Sequence, residues 1–303
     1  MSHMQIVEII NVVKAYDRKI AVDRLSLSIR QGSIYGLLGP NGAGKTSTIR
    51  MMIGITLPDS GEIRMFDGPF RRAHLKRIGY LPEQPGLYKK MKVLEQLIFM
   101  GELRGMAASS ARAQATQWCE RLEIAGSLES KYEELSKGMQ QKIQFICTLL
   151  HDPEFLIMDE PFSGLDPVNT KLIKDILLDL KRQGRTILFS SHRMDHVEKL
   201  CDDICLVNNG KAVLQGNLRE IKQGYGKSSV QVEYHGGGDV FKGNVLVKSY
   251  DNYENYVEVR MAEGADSQAL LRMISDRSRI NKFEVVEPSL DEIFREVVGK
   301  TDA

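Results

Sequence analysis

From Ile6 to Arg30 the chain holds two β-rich stretches, IVEIINVVKAY and KIAVDRLSLSIR, broken at Asp17 and Arg18. The second alternates apolar and polar residues with period two, which predicts an antiparallel hairpin. SIYGLLG (Ser33 to Gly39) is a short apolar run that enters a glycine-rich turn and then the helix-prone KTSTIRMMIG. A turn at Pro58-Asp59-Ser60-Gly61 precedes a strand (EIRMF), a basic helix and another strand (IGYLP). Between Val93 and about Arg121 the pattern is purely helical, with Leu94, Leu97, Ile98 and Gly101 on one face. This predicts a helical insertion.

ELSKGMQQK opens a helix running to about Leu150, and FLIMD follows as an unbroken apolar strand suited to a parallel sheet covered on both faces. Leu172, Ile173, Ile176, Leu177 and Leu180 mark an amphipathic helix that leads into a further strand, RTILFSS. Such alternation predicts an α/β sheet with crossover helices. Composition shifts near Gly224 to Lys227, and Gly236 to Gly238 read as a turn or joint. Beyond it, SVQVEY, NVLVKS and YVEVRM as strands, a helix over about Ser267 to Ser275, a strand (KFEVV) and a last helix from Asp291 to Val298 predict a separate small α+β unit.

At 303 residues, 42% of them hydrophobic, the chain is expected to form one large domain with a small companion. Its 41 basic and 40 acidic side chains leave a formal charge of +1, so no electrostatic footprint for nucleic acid exists and no nucleic-acid partner is expected. Cys119, Cys147, Cys201 and Cys205 form no CxxC pair and read as small structural thiols in a reducing compartment. Cys201 and Cys205 lack the further ligands a metal site needs. The longest apolar runs, ICTLL and FLIM, fall far short of the ~20 residues that span a bilayer. The initial MSHM carries no apolar segment of the export type.

Gly39-Pro40-Asn41-Gly42-Ala43-Gly44-Lys45-Thr46, followed by Ser47, fits GxxxxGK[ST] between a predicted strand and a predicted helix. Glycines let the backbone fold closely around phosphate oxygens, toward which the amides of the loop and helix start point. Lys45 is expected to reach the β- and γ-phosphates and Thr46 to bind Mg²⁺. FLIMDE places Asp159 at the C-terminal end of a buried strand, where open α/β sheets bind ligands and a carboxylate can hold the Mg²⁺ shell. Glu160 can polarise an attacking water if it faces the γ-phosphate.

These motifs, with those that follow, resemble the ABC ATPase family over roughly Ile6 to Leu218. Gln84 stands in YLPEQPGLY, at the Q-loop position. Leu135-Ser136-Lys137-Gly138-Met139 occupies the signature position, Ser163-Gly164-Leu165-Asp166 that of the D-loop, and His192 that of the switch histidine. The resemblance implies a P-loop NTPase cassette at 5–223, with a mixed core sheet, an antiparallel β subdomain and a helical insertion at about 85–134. An accessory α+β domain at 228–303 completes the expected organisation. It implies ATP and Mg²⁺, the metal held by Thr46, Gln84 and Asp159, with Glu160, His192 and Gln84 serving hydrolysis and Tyr16 stacking on adenine.

The resemblance further implies a homodimer, or pairing with a second cassette, in which Ser136 and Gly138 contact the γ-phosphate in trans. The family's output is transport through separate transmembrane permease subunits, which places the chain in the cytoplasm against the inner face of the cell membrane. Lys137 and Met139 depart from the LSGGQ form while Ser136 and Gly138 retain it. LSKGM and the tail EPSLDEIFREVVG are similar to those of bacterial drug and antibiotic exporters, which favours export. A cassette acting on DNA or the ribosome is the alternative class, and the C-terminal unit reads equally as a ligand sensor or a dimerisation element.

Overall fold

A computed structural model describes residues 4–17, 19–66, 68–84, 86–225, 229–235, 240–262, 264–286 and 288–301. The expected turn at Gly236 to Gly238, the composition shift at Lys227 and the start of the insertion at residue 85 lie outside these. The chain divides into two compact units, Met1–Gly216 and Asn217–Ala303.

In the first unit β1 (Gln5–Tyr16) and β2 (Lys19–Arg30) form the antiparallel hairpin, and β3 (Ile34–Leu38) leads to α1 (Lys45–Met52). β4 (Ser60–Met65) and the short β5 (Gly68–Pro69) join the hairpin in an antiparallel sheet of order β2-β1-β4-β5. The expected turn residues Ser60 and Gly61 open β4 instead of preceding it. Gly61 has a φ of +86°, and a Cβ there would lie 2.4 Å from the Asn11 carbonyl oxygen, so the irregular pairing of β1 with β4 requires glycine. The basic segment before β6 (Ile78–Leu81) is a 3-10 helix, Arg72–Arg77.

The helical insertion holds two helices, α2 (Val93–Leu103) and α3 (Ala108–Arg121). Gly105, at φ +91°, ends the first, and the Met106 amide returns to the Gly101 carbonyl at 3.1 Å. The buried seam of α2 is Val93, Gln96, Leu97 and Gly101, with Leu94 and Ile98 only half-buried. α4 (Lys137–Leu149) returns to β7 (Phe155–Asp159).

α5 (Pro167–Arg182) buries Ile173, Ile176, Leu177 and Leu180. After β8 (Thr186–Ser191), the short α6 (Met194–Glu198) leads to β9 (Asp203–Asn208) and β10 (Lys211–Asn217), which none of the patterns above marks. The central sheet runs β10-β9-β3-β8-β7-β6, and β3, β7, β8 and β9 are buried at every residue. That is the burial expected of parallel strands covered on both faces. The parallel register pairs Leu38 with Ser191 and Asp159 with Ser190, so β3, β8 and β7 end at one level.

The second unit contains α7 (Leu218–Gly224), β11 (Ser229–His235), β12 (Val247–Asn252), β13 (Val257–Met261), α8 (Ser267–Ser275), β14 (Arg279–Val286) and α9 (Leu290–Thr301). Its sheet, of order β12-β13-β11-β14, is antiparallel throughout. Val230, Val232, Val257 and Val259 alternate inward against Leu270 and Ile274 of α8. The four cysteines are free, and burial pushes the Cys119 thiol up to about 11 and those of Cys147 and Cys205 to about 12.

Candidate active site

The chain leaves β3 at Leu38 and turns at once through Gly39, at φ +148°. A Cβ on Gly39 would sit 2.2 Å from the Val207 carbonyl oxygen of β9, and one on Gly44, at φ +109°, would sit 2.3 Å from that of Ala21. Only glycine fits at either position. Gly42, at φ +80°, faces open space, so its requirement is conformational alone. The Gly210 amide donates to the Ala43 carbonyl at 2.9 Å and the Asp23 amide to the Gly210 carbonyl at 2.9 Å, which fastens the loop to β2.

A cleft of about 380 Å³ opens above the loop, and Asn41, Gly42, Gly44, Lys45, Thr46, Ser47, Asp159 and Glu160 line it together with Lys19, Ala21 and Glu83. The buried Lys45 bends back over the turn and donates to the carbonyls of Gly39 at 2.7 Å and Pro40 at 3.1 Å. Burial lowers its pKa, against the opposing pull of Glu160, Asp159 and Glu83. This ammonium is held by neutral carbonyls, which an anion with better acceptors can replace.

Thr46 Oγ1 donates to Asp159 Oδ2 at 2.8 Å, bringing α1 and β7 together across the cleft floor. Ser190 on the intervening β8 donates to Asp159 Oδ1, and its oxygen accepts the Glu160 amide at 3.1 Å. One hydroxyl thus orients both acidic residues. Glu160 takes a left-handed φ of +50°, a conformation uncommon for residues other than glycine and held here by this bond. Its carboxylate accepts from the His192 amide at 3.0 Å and meets His192 Nδ1 at 2.7 Å and Ser191 Oγ at 3.4 Å.

Other residues expected at the site stand away from this lining. Tyr16 ends β1, two-fifths exposed, and its register partner Lys19 lines the cleft instead. Gln84 is exposed in the bend after β6, and its neighbour Glu83 takes the place on the wall. Ser136 caps α4 by accepting the Met139 amide at 3.3 Å, exposed and outside the cleft, with Gly138 beside it. Ser190, Ser191, Glu83 and Lys19 were not among the expected residues. For Ser190 and Ser191 a signal existed, two hydroxyls ending an otherwise apolar strand one residue before His192.

Residues 22–163 match the family model described as ABC transporter, and residues 216–298 match that of the ATP-binding protein DrrA1-3-like C-terminal domain. The uncharacterized ABC transporter ATP-binding protein YhaQ of Bacillus subtilis is 44% identical over 95% of this chain and 97% of its own. The chain belongs to the ABC transporter ATP-binding proteins. A Nod factor export ATP-binding protein of Paraburkholderia xenovorans is 39% identical over 69% of the cassette chain and 70% of its own.

Among solved structures, an ATP-binding subunit of an ABC transporter aligns with TM-score 0.67 and 28% identity, over 73% of this chain and 93% of that one. The ADP conformation of another ATP-binding cassette gives 0.63 and 27%, over 72% and 92%. The cassette fold is therefore that of the ABC ATPases, and the chain is an ATPase of that family. No helix among the described residues is long and apolar enough to cross a membrane.

Proposed function

We propose that this subunit hydrolyses ATP to drive export through a separate permease at the inner face of the cell membrane, working as a homodimer or paired with a second cassette. The observation that carries the reading is the constellation at the level strand ends: Lys45 over a glycine loop, Thr46 on Asp159, and the Glu160 carboxylate held by His192. The loop binds the phosphates through its amides and Lys45, which exchanges its carbonyl partners for phosphate oxygens. Glu160 orients the attacking water and takes up its proton, while His192 and Lys45 meet charge developing on the transferred phosphoryl group.

The donor set also fits Mg²⁺. A threonine hydroxyl and a buried carboxylate 2.8 Å apart are the hard oxygens this ion prefers, and Ser190 fixes the carboxylate's orientation. Bound there, the ion would neutralise charge on the phosphate oxygens. Thr46 and Asp159 would hold it, with Gln84 as a further ligand once its loop approaches.

The assignment of Ser136 and Gly138 to the partner's nucleotide rests on the exposure of Ser136, with the half-buried Gly138 beside it, at the start of α4, where a helix N-terminus favours an anion. Tyr16, at the end of β1, is assigned to the adenine. Export is favoured by the name of the Nod factor relative and by the DrrA-like match of the C-terminal unit. Purification of the chain from membranes tests the setting. A multi-spanning membrane protein should accompany it and raise its ATP turnover, whereas recovery with ribosomes or DNA would contradict the proposal.

A further inference from the structure

The loop carrying Gln84 is held at both ends by buried glutamine side chains from two different helices. At its start, Gln144 Nε2 of α4 donates to the Pro82 carbonyl at 2.8 Å. At its end, the Tyr88 amide donates to Gln96 Oε1 of α2, and the Tyr88 ring packs edge-on against Phe99 of the same helix at 5.9 Å. Gln96 is 0% exposed and Gln144 3%.

Neither amide is fully used. Gln96 Nε2 and Gln144 Oε1 are buried and have no hydrogen-bond partner among the described residues. Burying half an amide unpaired is unfavourable, and a leucine or methionine would fill either space without that cost. A glutamine at each position therefore has a use beyond packing, and its one made bond goes to the loop. Single bonds at the two ends hold the loop while leaving Gln84 between them exposed and free of the cleft wall.

We propose that Gln96 and Gln144 are positioning residues for the Gln84 loop, tying it respectively to the insertion helix α2 and to α4, the helix that Ser136 caps. The inference rests on the reading of Gln84 as part of the ATP machinery. Because α4 also donates from Gln141 Nε2 to the Pro161 carbonyl at 3.4 Å, one helix touches the segments after both β6 and β7. A displacement at the Ser136 end of α4 is thereby passed to the loop through Gln144, and from the loop to α2 through Gln96.

The test compares Gln96→Met, Gln144→Met and Gln96→Glu with the unaltered chain, by amide hydrogen exchange at residue resolution, ATP affinity and ATP turnover. Gln96→Met should speed exchange at the Tyr88 amide at least tenfold, whereas Gln96→Glu, which keeps the acceptor, should leave it slow. Both methionine variants should bind ATP within about threefold of the unaltered chain while turnover falls at least fivefold. Exchange and turnover unchanged in both methionine variants, with the unaltered chain binding and hydrolysing ATP, would overturn the proposal. Failure of the unaltered chain to bind ATP would instead overturn the underlying functional reading, and the Tyr88 exchange rates would still decide the clasp. Should a methionine variant melt early, turnover decides: Gln144→Glu, which loses the donor to Pro82, should turn over at least fivefold more slowly than the unaltered chain and Gln96→Glu, and equal turnover in all three would overturn the proposal.

Discussion

His192 meets the Glu160 carboxylate twice, through its backbone amide at 3.0 Å and through Nδ1 at 2.7 Å. The contact joins the ends of two neighbouring parallel strands, β7 and β8, and fixes the carboxylate at the mouth of the phosphate loop. For the base proposed here, a direction set by the sheet rather than by a mobile loop means that little order is lost on orienting a water.

Ser190→Ala removes the hydroxyl that orients Asp159 and accepts the Glu160 amide. The buried Asp159 and the half-buried Glu160 each lose a bond, a cost of roughly 1–3 kcal/mol in stability. Turnover should fall by about 10- to 100-fold with ATP affinity changed far less, as read from steady-state rates and calorimetric titration. Equal loss of both would show that Ser190 serves binding instead of alignment.

Alanine at the three loop glycines separates close approach from backbone conformation. Gly42→Ala meets open space and incurs only the left-handed strain, about 1–3 kcal/mol. Gly39→Ala and Gly44→Ala drive a methyl into backbone carbonyls at 2.2 and 2.3 Å, so the loop itself must move. Nucleotide affinity should follow the order Gly42→Ala, then the other two, with ATP binding lost in the latter. Similar affinity in all three would contradict the tight placement of the loop against Val207 and Ala21.

Much of this site was legible in the chain because its residues are contiguous and their chemistry is local. Gly39 to Ser47, Asp159 and Glu160 sit in short motifs whose flanks alone imply strand, loop and helix. Ser190 stood out only as a hydroxyl ending an apolar strand, while its partners come from register: β8 lies between β3 and β7, and no pattern along one strand reveals its neighbours. Likewise the helical pattern read from Val93 to about Arg121 contains a break, because Gly105 ends α2 in a left-handed conformation that periodicity alone does not show. β10 escaped for a different reason, since it is largely exposed and lacks the buried apolar run of the interior strands β3, β8 and β7.

The signature residues are predicted to act across the dimer. Lys45→Ala disables the phosphate loop and Ser136→Arg blocks the exposed start of α4, and each homodimer should be inactive. Mixed together, the two variants form heterodimers with one site made entirely of intact halves, so random pairing should restore about a quarter of the sites. Turnover of the mixture no higher than that of either variant alone would exclude trans action by Ser136.

His196 of α6 is buried, with its ring edge-on to Phe162 at 4.7 Å and Nε2 3.5 Å from Asp195 Oδ2. Burial, assisted by Lys174 and opposed by Asp195, lowers its pKa from 6.5 to about 4. The unfolded chain therefore takes up a proton below about pH 6.5 that the folded chain refuses until about pH 4. Stability from this group is complete above about pH 6.5 and declines as pH falls toward about 4, by roughly 1–3 kcal/mol. Chemical denaturation of the unaltered chain and of His196→Gln across this range should show a difference that shrinks on acidification. A constant difference would contradict a neutral, buried imidazole.

Glu160→Gln bears most directly on the claim that this cleft hydrolyses ATP with Glu160 as its base. The amide preserves the shape of the side chain and removes its proton affinity, so ATP affinity should stay within about threefold while turnover falls at least about 100-fold. ATP should also hold the variant as a closed dimer, visible by size-exclusion chromatography. Turnover at the level of the unaltered chain would contradict the account.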